Sequence, residues 1–119
     1  MSTLNVNQIN SADGSDDTLV LNGQNTCKAW ITFNGTGTIA IDDSYGVDSI
    51  ADNGTGDYDV NFTTNFASVD FSMASCTGAF MDRALAASKA VGSANFETRS
   101  GANSAQDADN VCLIFFGDQ

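Results

Sequence analysis

Asp57-Tyr58-Asp59-Val60-Asn61-Phe62-Thr63 is the stretch that decides the fold. Tyr58, Val60 and Phe62 alternate with Asp59, Asn61 and Thr63. Successive side chains of an extended chain point to opposite sides, so this run has one dry face and one wet face. Just before it lies the turn Asp52-Asn53-Gly54-Thr55-Gly56-Asp57, and before that residues 45–51 read as a further strand, with Tyr45 and Val47 on one face. The quartet Asn-Gly-Thr-Gly occurs at 53–56 and again at 34–37. The second copy separates residues 28–33, rich in β-formers with Trp30 and Ile31 side by side, from residues 38–41, with Ile39 and Ile41 on one face. Asparagine and glycine accept the positive φ that tight hairpins require. Two such turns between β-like runs predict a meander of antiparallel strands.

Working outward, Ala67, Val69, Phe71 and Met73 alternate with Ser68, Asp70 and Ser72 and predict another strand. Leu4 and Val6 alternate with Asn5 and Asn7, and residues 18–21 form a short apolar segment closed by Asn22-Gly23. Residues 79–91 read two ways. Their alanines, with Met81 and Leu85, favour helix, yet alanine and serine also populate loops of β proteins. Residues 95–99 read as a strand and 101–110 as a polar loop. In the last run, Val111, Leu113 and Phe115 face one way, and Cys112, Ile114 and Phe116 the other. Both faces are apolar, so this strand is expected to be covered on both sides, by the domain's own core and by a neighbouring subunit. There is no proline, which leaves turns to Gly, Asn, Asp and Ser. Many short strands with polar turns predict a single all-β domain, mainly antiparallel, a β-sandwich or jelly roll. Residues 1–26 are expected to be an N-terminal arm with short strands, and residues 27–119 the sandwich.

Composition narrows function by exclusion. Fifteen acidic residues against four basic ones give a net charge of −11. The cations Lys28, Arg83, Lys89 and Arg99 are scattered, so neither nucleic acid nor an anionic membrane surface is an expected partner. No apolar run approaches the roughly 20 residues of a membrane span. The opening Met1-Ser2-Thr3-Leu4-Asn5-Val6 has no basic region followed by an apolar one, so assembly in a cytoplasm is expected rather than secretion. Cys27, Cys76 and Cys112 fit neither a disulfide framework nor a zinc pattern and read as free thiols acting as small hydrophobes, Cys112 the most buried.

Without histidine, the Ser-His and Cys-His arrangements of nucleophilic catalysis are closed to this chain. Neither Gly-Thr-Gly turn is followed by the lysine of a phosphate loop. Asp57 and Asp59 share a strand face, but a wet strand face explains them without a catalytic pair. Asp52, Asp57 and Asp59 offer hard oxygens to calcium, though not at EF-hand spacing. No cofactor and no resident metal are expected, and the chain reads as a non-enzyme. Trp30, Phe62 and Phe71 are expected in the core. Tyr45, beside a turn, is a candidate ligand-facing aromatic together with Asp57 and Asp59.

One resemblance sharpens this. The run Lys28-Ala29-Trp30-Ile31-Thr32-Phe33-Asn34-Gly35-Thr36-Gly37-Thr38 and the run Asp52-Asn53-Gly54-Thr55-Gly56-Asp57-Tyr58-Asp59-Val60-Asn61-Phe62-Thr63-Thr64 closely resemble a domain of virion structural and tail-fibre proteins of marine bacteriophages, cyanophages included. The match covers roughly residues 28–71, and residues 74–105 depart from it. The resemblance implies a phage structural protein on the outer surface of the virion, made in the host cytoplasm. It implies a fibre tip or knob, homo-oligomeric and usually trimeric, touching other virion proteins and a host cell-surface glycan. With no long shaft ahead of the domain, a capsid decoration protein is the alternative. Leu4, Val6, Ile9, Val111, Leu113, Ile114, Phe115 and Phe116 are the expected oligomer or attachment interface.

Overall fold

The computed structural model describes Ser2, residues 26–78 and residues 81–119, with backbone alone for 81–87. Eight strands follow one another: β1 (Ala29–Asn34), β2 (Ala40–Tyr45), β3 (Val47–Gly54), β4 (Asp57–Phe62), β5 (Ser72–Thr77), β6 (Met81–Ala90), β7 (Ser93–Ser100) and β8 (Val111–Phe116). They form two four-stranded sheets, β2-β1-β8-β5 and β3-β4-β7-β6, with every neighbouring pair antiparallel. The described chain is an all-β sandwich without a helix.

Alternation builds the core. Ala29, Ile31 and Phe33 of β1 and Val111, Leu113 and Phe115 of β8 turn inward from one sheet. Tyr58, Val60 and Phe62 of β4, with Ala94 and Phe96 of β7, meet them from the other. Phe33 packs edge-on to Tyr58 with ring centroids 5.2 Å apart, and Phe62 edge-on to Phe115 at 4.9 Å. Phe66 and Phe71 stack at 4.4 Å and close one end.

The two Asn-Gly-Thr-Gly quartets close the β1–β2 and β3–β4 hairpins, as their composition predicts. They also share a partner segment, residues 107–108. The Gly35 amide donates to the Ala108 carbonyl (2.8 Å) and the Gly56 amide to Asp107 Oδ1 (2.7 Å). Between them the buried Tyr58 hydroxyl donates toward Asp107 Oδ1 at 3.0 Å, with the Gly35 carbonyl at 3.2 Å. A Cβ on Gly35 would run into that hydroxyl, and Gly56 holds φ 64°, so one quartet needs glycine for space and the other for its backbone angle. Burial, and next the hydrogen bond to Asp107, push the Tyr58 hydroxyl far above the ordinary tyrosine range, so it remains a donor.

Four expectations are corrected. Residues 45–51 are not one strand. Gly46 (φ 68°) breaks the run, ending β2 at Tyr45 and starting β3 at Val47 in the opposite sheet. A Cβ there would collide with the Lys28 carbonyl oxygen. Residues 67–71 are irregular rather than extended; Phe71 is buried while Val69 is exposed. Residues 81–90 are neither helix nor loop but the edge strand β6, because pairing with β7 across the Val91-Gly92 turn outweighs alanine's preference. Trp30 is not core. Its neighbours Ala29 and Ile31 turn inward, so the indole is left on the outer side, half-buried.

Candidate functional site: two unlike outer faces

Each sheet has an outer face, and register fixes what stands on it. On the β2-β1-β8-β5 sheet, Trp30 lies opposite both Tyr45 and Ile114, and Ile114 opposite Ala74. The next row places Thr32 opposite Asp43 and Cys112, and Cys112 opposite Cys76. Phe116 lies opposite Ser72. Large apolar side chains therefore meet water here: Tyr45 is 62% exposed, Ile114 42% and Phe116 37%. A shallow concavity of about 270 Å³ runs between β5 and β8, lined by Ala74, Ser75, Cys76, Cys112 and Ile114. The strands of this sheet carry two carboxylates among the described residues, both on the edge strand β2: Asp43 in the Thr32 row and the exposed Asp42 in the bulge beside it; Asp70 and Asp118 stand beyond the Phe116 end. Contiguous apolar surface of this kind marks sites of association.

The outer face of the β3-β4-β7-β6 sheet is built oppositely. The Asn95 side-chain amide donates to Asp57 Oδ1 (2.8 Å) and Asp59 Oδ1 (2.8 Å), with the Tyr58 carbonyl at 3.3 Å. Asn53 Nδ2 donates to Asp59 Oδ2 at 2.9 Å. Asn61 Nδ2 donates to Ser49 Oγ at 3.2 Å. Arg99 pairs with Glu97 through Nη2 and Oε2 at 2.6 Å. Amides thus bridge neighbouring carboxylates on this face. Among the described residues no three His, Cys, Asp or Glu side chains are grouped to hold a metal ion. Asp57 and Asp59 are tied to asparagines instead, and Asp52 Oδ1 accepts from the Gly54 amide at 3.0 Å.

The expected site residues are therefore divided. Asp57 and Asp59 do share one face, but Tyr45 stands on the other sheet's outer side, so the three form no common ligand site. Of the expected interface residues in β8, Val111, Leu113 and Phe115 are fully inside the domain's own core, which removes them from any surface. Ile114 and Phe116 remain outside. Leu4, Val6 and Ile9 lie outside the described residues. Cys112 is half-buried on the outer face, as much at the surface as Cys27, and Cys76 is exposed; all three are free thiols. Two features escaped the sequence. One is Asp107, an acid in a polar loop that joins both glycine quartets. The other is the outward Trp30, which its adjacency to Ile31 does signal: neighbours on a strand cannot both face the core.

No protein family, no curated protein and no solved structure matches the chain. No helix among the described residues is long and apolar enough to cross a membrane.

Proposed function

We propose that the chain is a non-enzymatic structural subunit of a bacteriophage particle, carried on its outer surface as a fibre tip or knob. Copies assemble as a homo-oligomer, a trimer, through the apolar outer face of the β2-β1-β8-β5 sheet. The observation that carries this reading is the pairing of an apolar outer face with a polar, acidic one on the same sandwich. The phage setting rests on the sequence resemblance over residues 28–71.

Charge selects a second copy as the occupant. Chains of net charge −11 repel one another. They oppose the fewest carboxylates when they meet across the Trp30–Ile114 row, which holds none; the nearest on that sheet are Asp43, one row on, and Asp42 in the β2 bulge beside it. Burial there of an indole, an isoleucine and a phenylalanine supplies the kind of aromatic and aliphatic anchor that dominates interfaces. The polar face is left to water and to hydroxyl-rich ligands such as a host-surface glycan, for which Asp57, Asp59 and the neighbouring amides are suitable partners.

The test has two arms. Light scattering of the purified chain is expected to give about three times 12.4 kDa. A chain that stays at one copy across micromolar concentrations overturns the assembly reading, and so does an N-terminal segment found folded over Trp30. Antibody labelling of intact particles is expected to mark the tail. Uniform labelling of the head favours the decoration alternative, and no labelling at all overturns the particle reading.

A further inference from the structure

We infer that Cys76 and Cys112 are a cross-strand disulfide site, able to lock the edge strand β5 onto the central strand β8. The two cysteines stand directly opposite each other in the β5–β8 ladder. Opposite residues on antiparallel strands point to the same side, and here both line the concavity outside the sheet. The Gly78 amide donates to the Asn110 carbonyl at 2.8 Å, two residues further along the same register. That makes Cys76 and Cys112 a hydrogen-bonded pair, whose Cα atoms lie about 5.5 Å apart. Disulfides span roughly 4.4–6.8 Å between Cα atoms, which this pair meets, but they need Cβ atoms about 3.5–4.5 Å apart, whereas those of a hydrogen-bonded pair stand toward about 5.5 Å, so closure draws the edge strand inward and leaves a strained, readily reduced bond. Cys27 has no such partner. It precedes β1, and its thiol donates to the Ala29 carbonyl at 3.1 Å.

The chemistry is thiol–disulfide exchange, with a low-molecular-weight disulfide such as oxidised glutathione as oxidant. The exposed Cys76 sulfur, as thiolate, attacks one sulfur of that disulfide. The S–S bond breaks, one glutathione thiolate leaves and takes up a proton, and a mixed disulfide remains on Cys76. The Cys112 sulfur, having given its proton to solvent, then attacks Cys76 Sγ and expels the second glutathione. Two protein thiols have lost two electrons in all, and one glutathione disulfide has become two thiols. Because β5 is an edge strand, the pair sits at the rim of the apolar face rather than at its Trp30 centre. Closure therefore goes beyond the assembly reading and does not depend on it.

The deciding experiment incubates the reduced full-length protein, at low micromolar concentration, in glutathione buffers of rising oxidised fraction. Mass spectrometry is expected to show a product lighter by two hydrogen atoms, within a single chain, with Cys27 still alkylatable. Peptide mapping is expected to recover a fragment joining residue 76 to residue 112. Thermal unfolding of the oxidised chain is expected to rise by less than the roughly 10 °C that closing this loop would give without strain. Cys76→Ser and Cys112→Ser, both at outward positions, are expected to abolish the product, and Cys27→Ser to leave it intact. A bond between chains, a bond involving Cys27, or thiols that stay free in fully oxidised buffer overturns the proposal; the mapping on the unaltered protein decides this even if a variant misfolds. None of these outcomes bears on whether the particle labelling succeeds.

Discussion

The two sheets share one core and present opposite chemistry to the outside. Across the β2-β1-β8-β5 sheet, Trp30, Tyr45, Ile114 and Phe116 lie toward solvent with the two facing cysteines beside them. Across the β3-β4-β7-β6 sheet, Asp57, Asp59, Asn95, Glu97 and Arg99 bond one another. Inner faces of a sandwich are constrained alike, because both must be apolar and close-packed. Outer faces are free to differ, so their difference is where a partner is written. A polar outer face is complete in water. An apolar one completes its burial only against something else.

Five measurements break or sharpen that contrast. The largest effect separates inward from outward within β8. Phe115→Ala removes a ring held between Phe62 and Phe71, and denaturant titration is expected to show a loss of about 3–5 kcal/mol. A loss below about 1 kcal/mol would mean that this ring is not core. Its neighbour tests the other side. Ile114→Asp is expected to weaken self-association by about 100-fold, seen in sedimentation as a fall toward the single-chain mass, with the sheet still folded. Unchanged association would move the interface off this face.

Tyr58→Phe acts beneath both faces. It leaves Asp107 and the Gly35 carbonyl short of a donor and is expected to cost about 1–2 kcal/mol, read as a lower denaturation midpoint with the same slope. No cost would show that the two glycine quartets are held by backbone bonds alone. On the polar face, Asn95→Ala takes away the amide that bridges Asp57 and Asp59. Stability is expected to drop by about 1 kcal/mol, more at low salt, without any change in association. Altered association here would assign the contact to the wrong sheet. The smallest effect belongs to Asp59→Asn, expected to cost about 0.5 kcal/mol: the single amide oxygen accepts from Asn53 or from Asn95 but not from both, as the two carboxylate oxygens do. Melting that matches the parent would show that one of these two bonds carries no stability.

Legibility followed the local signal. Where apolar and polar residues alternate strictly, as in Tyr58, Val60 and Phe62 against Asp59, Asn61 and Thr63, inward residues are readable and the structure places them inside; in β8 both faces are apolar, and the sequence does not mark Val111, Leu113 and Phe115 as the inner set. Where the signal was carried by a single residue, reading failed. Gly46 looked like a strand interior until its positive φ and its closeness to the Lys28 carbonyl showed a change of sheet. Residues 81–90 are alanine-rich, and their conformation comes from a neighbour distant in type though close in chain, the β7 strand. The candidate face is half legible in the sequence: Ile114 and Phe116 stand out, whereas Trp30, in a β-rich run beside Ile31, reads as core.

By itself the sequence determined that the chain would be β, that its Asn-Gly-Thr-Gly turns would close hairpins, and which side of β4 would be dry. Alternation and positive-φ residues act between neighbours, so they are visible without a fold. Only the tertiary structure decided which strands share a sheet, that Cys76 faces Cys112, and that the apolar and acidic residues part to opposite sides. Those facts depend on strand order and register, which are set by the joint burial of residues far apart in the chain, and no local pattern encodes them.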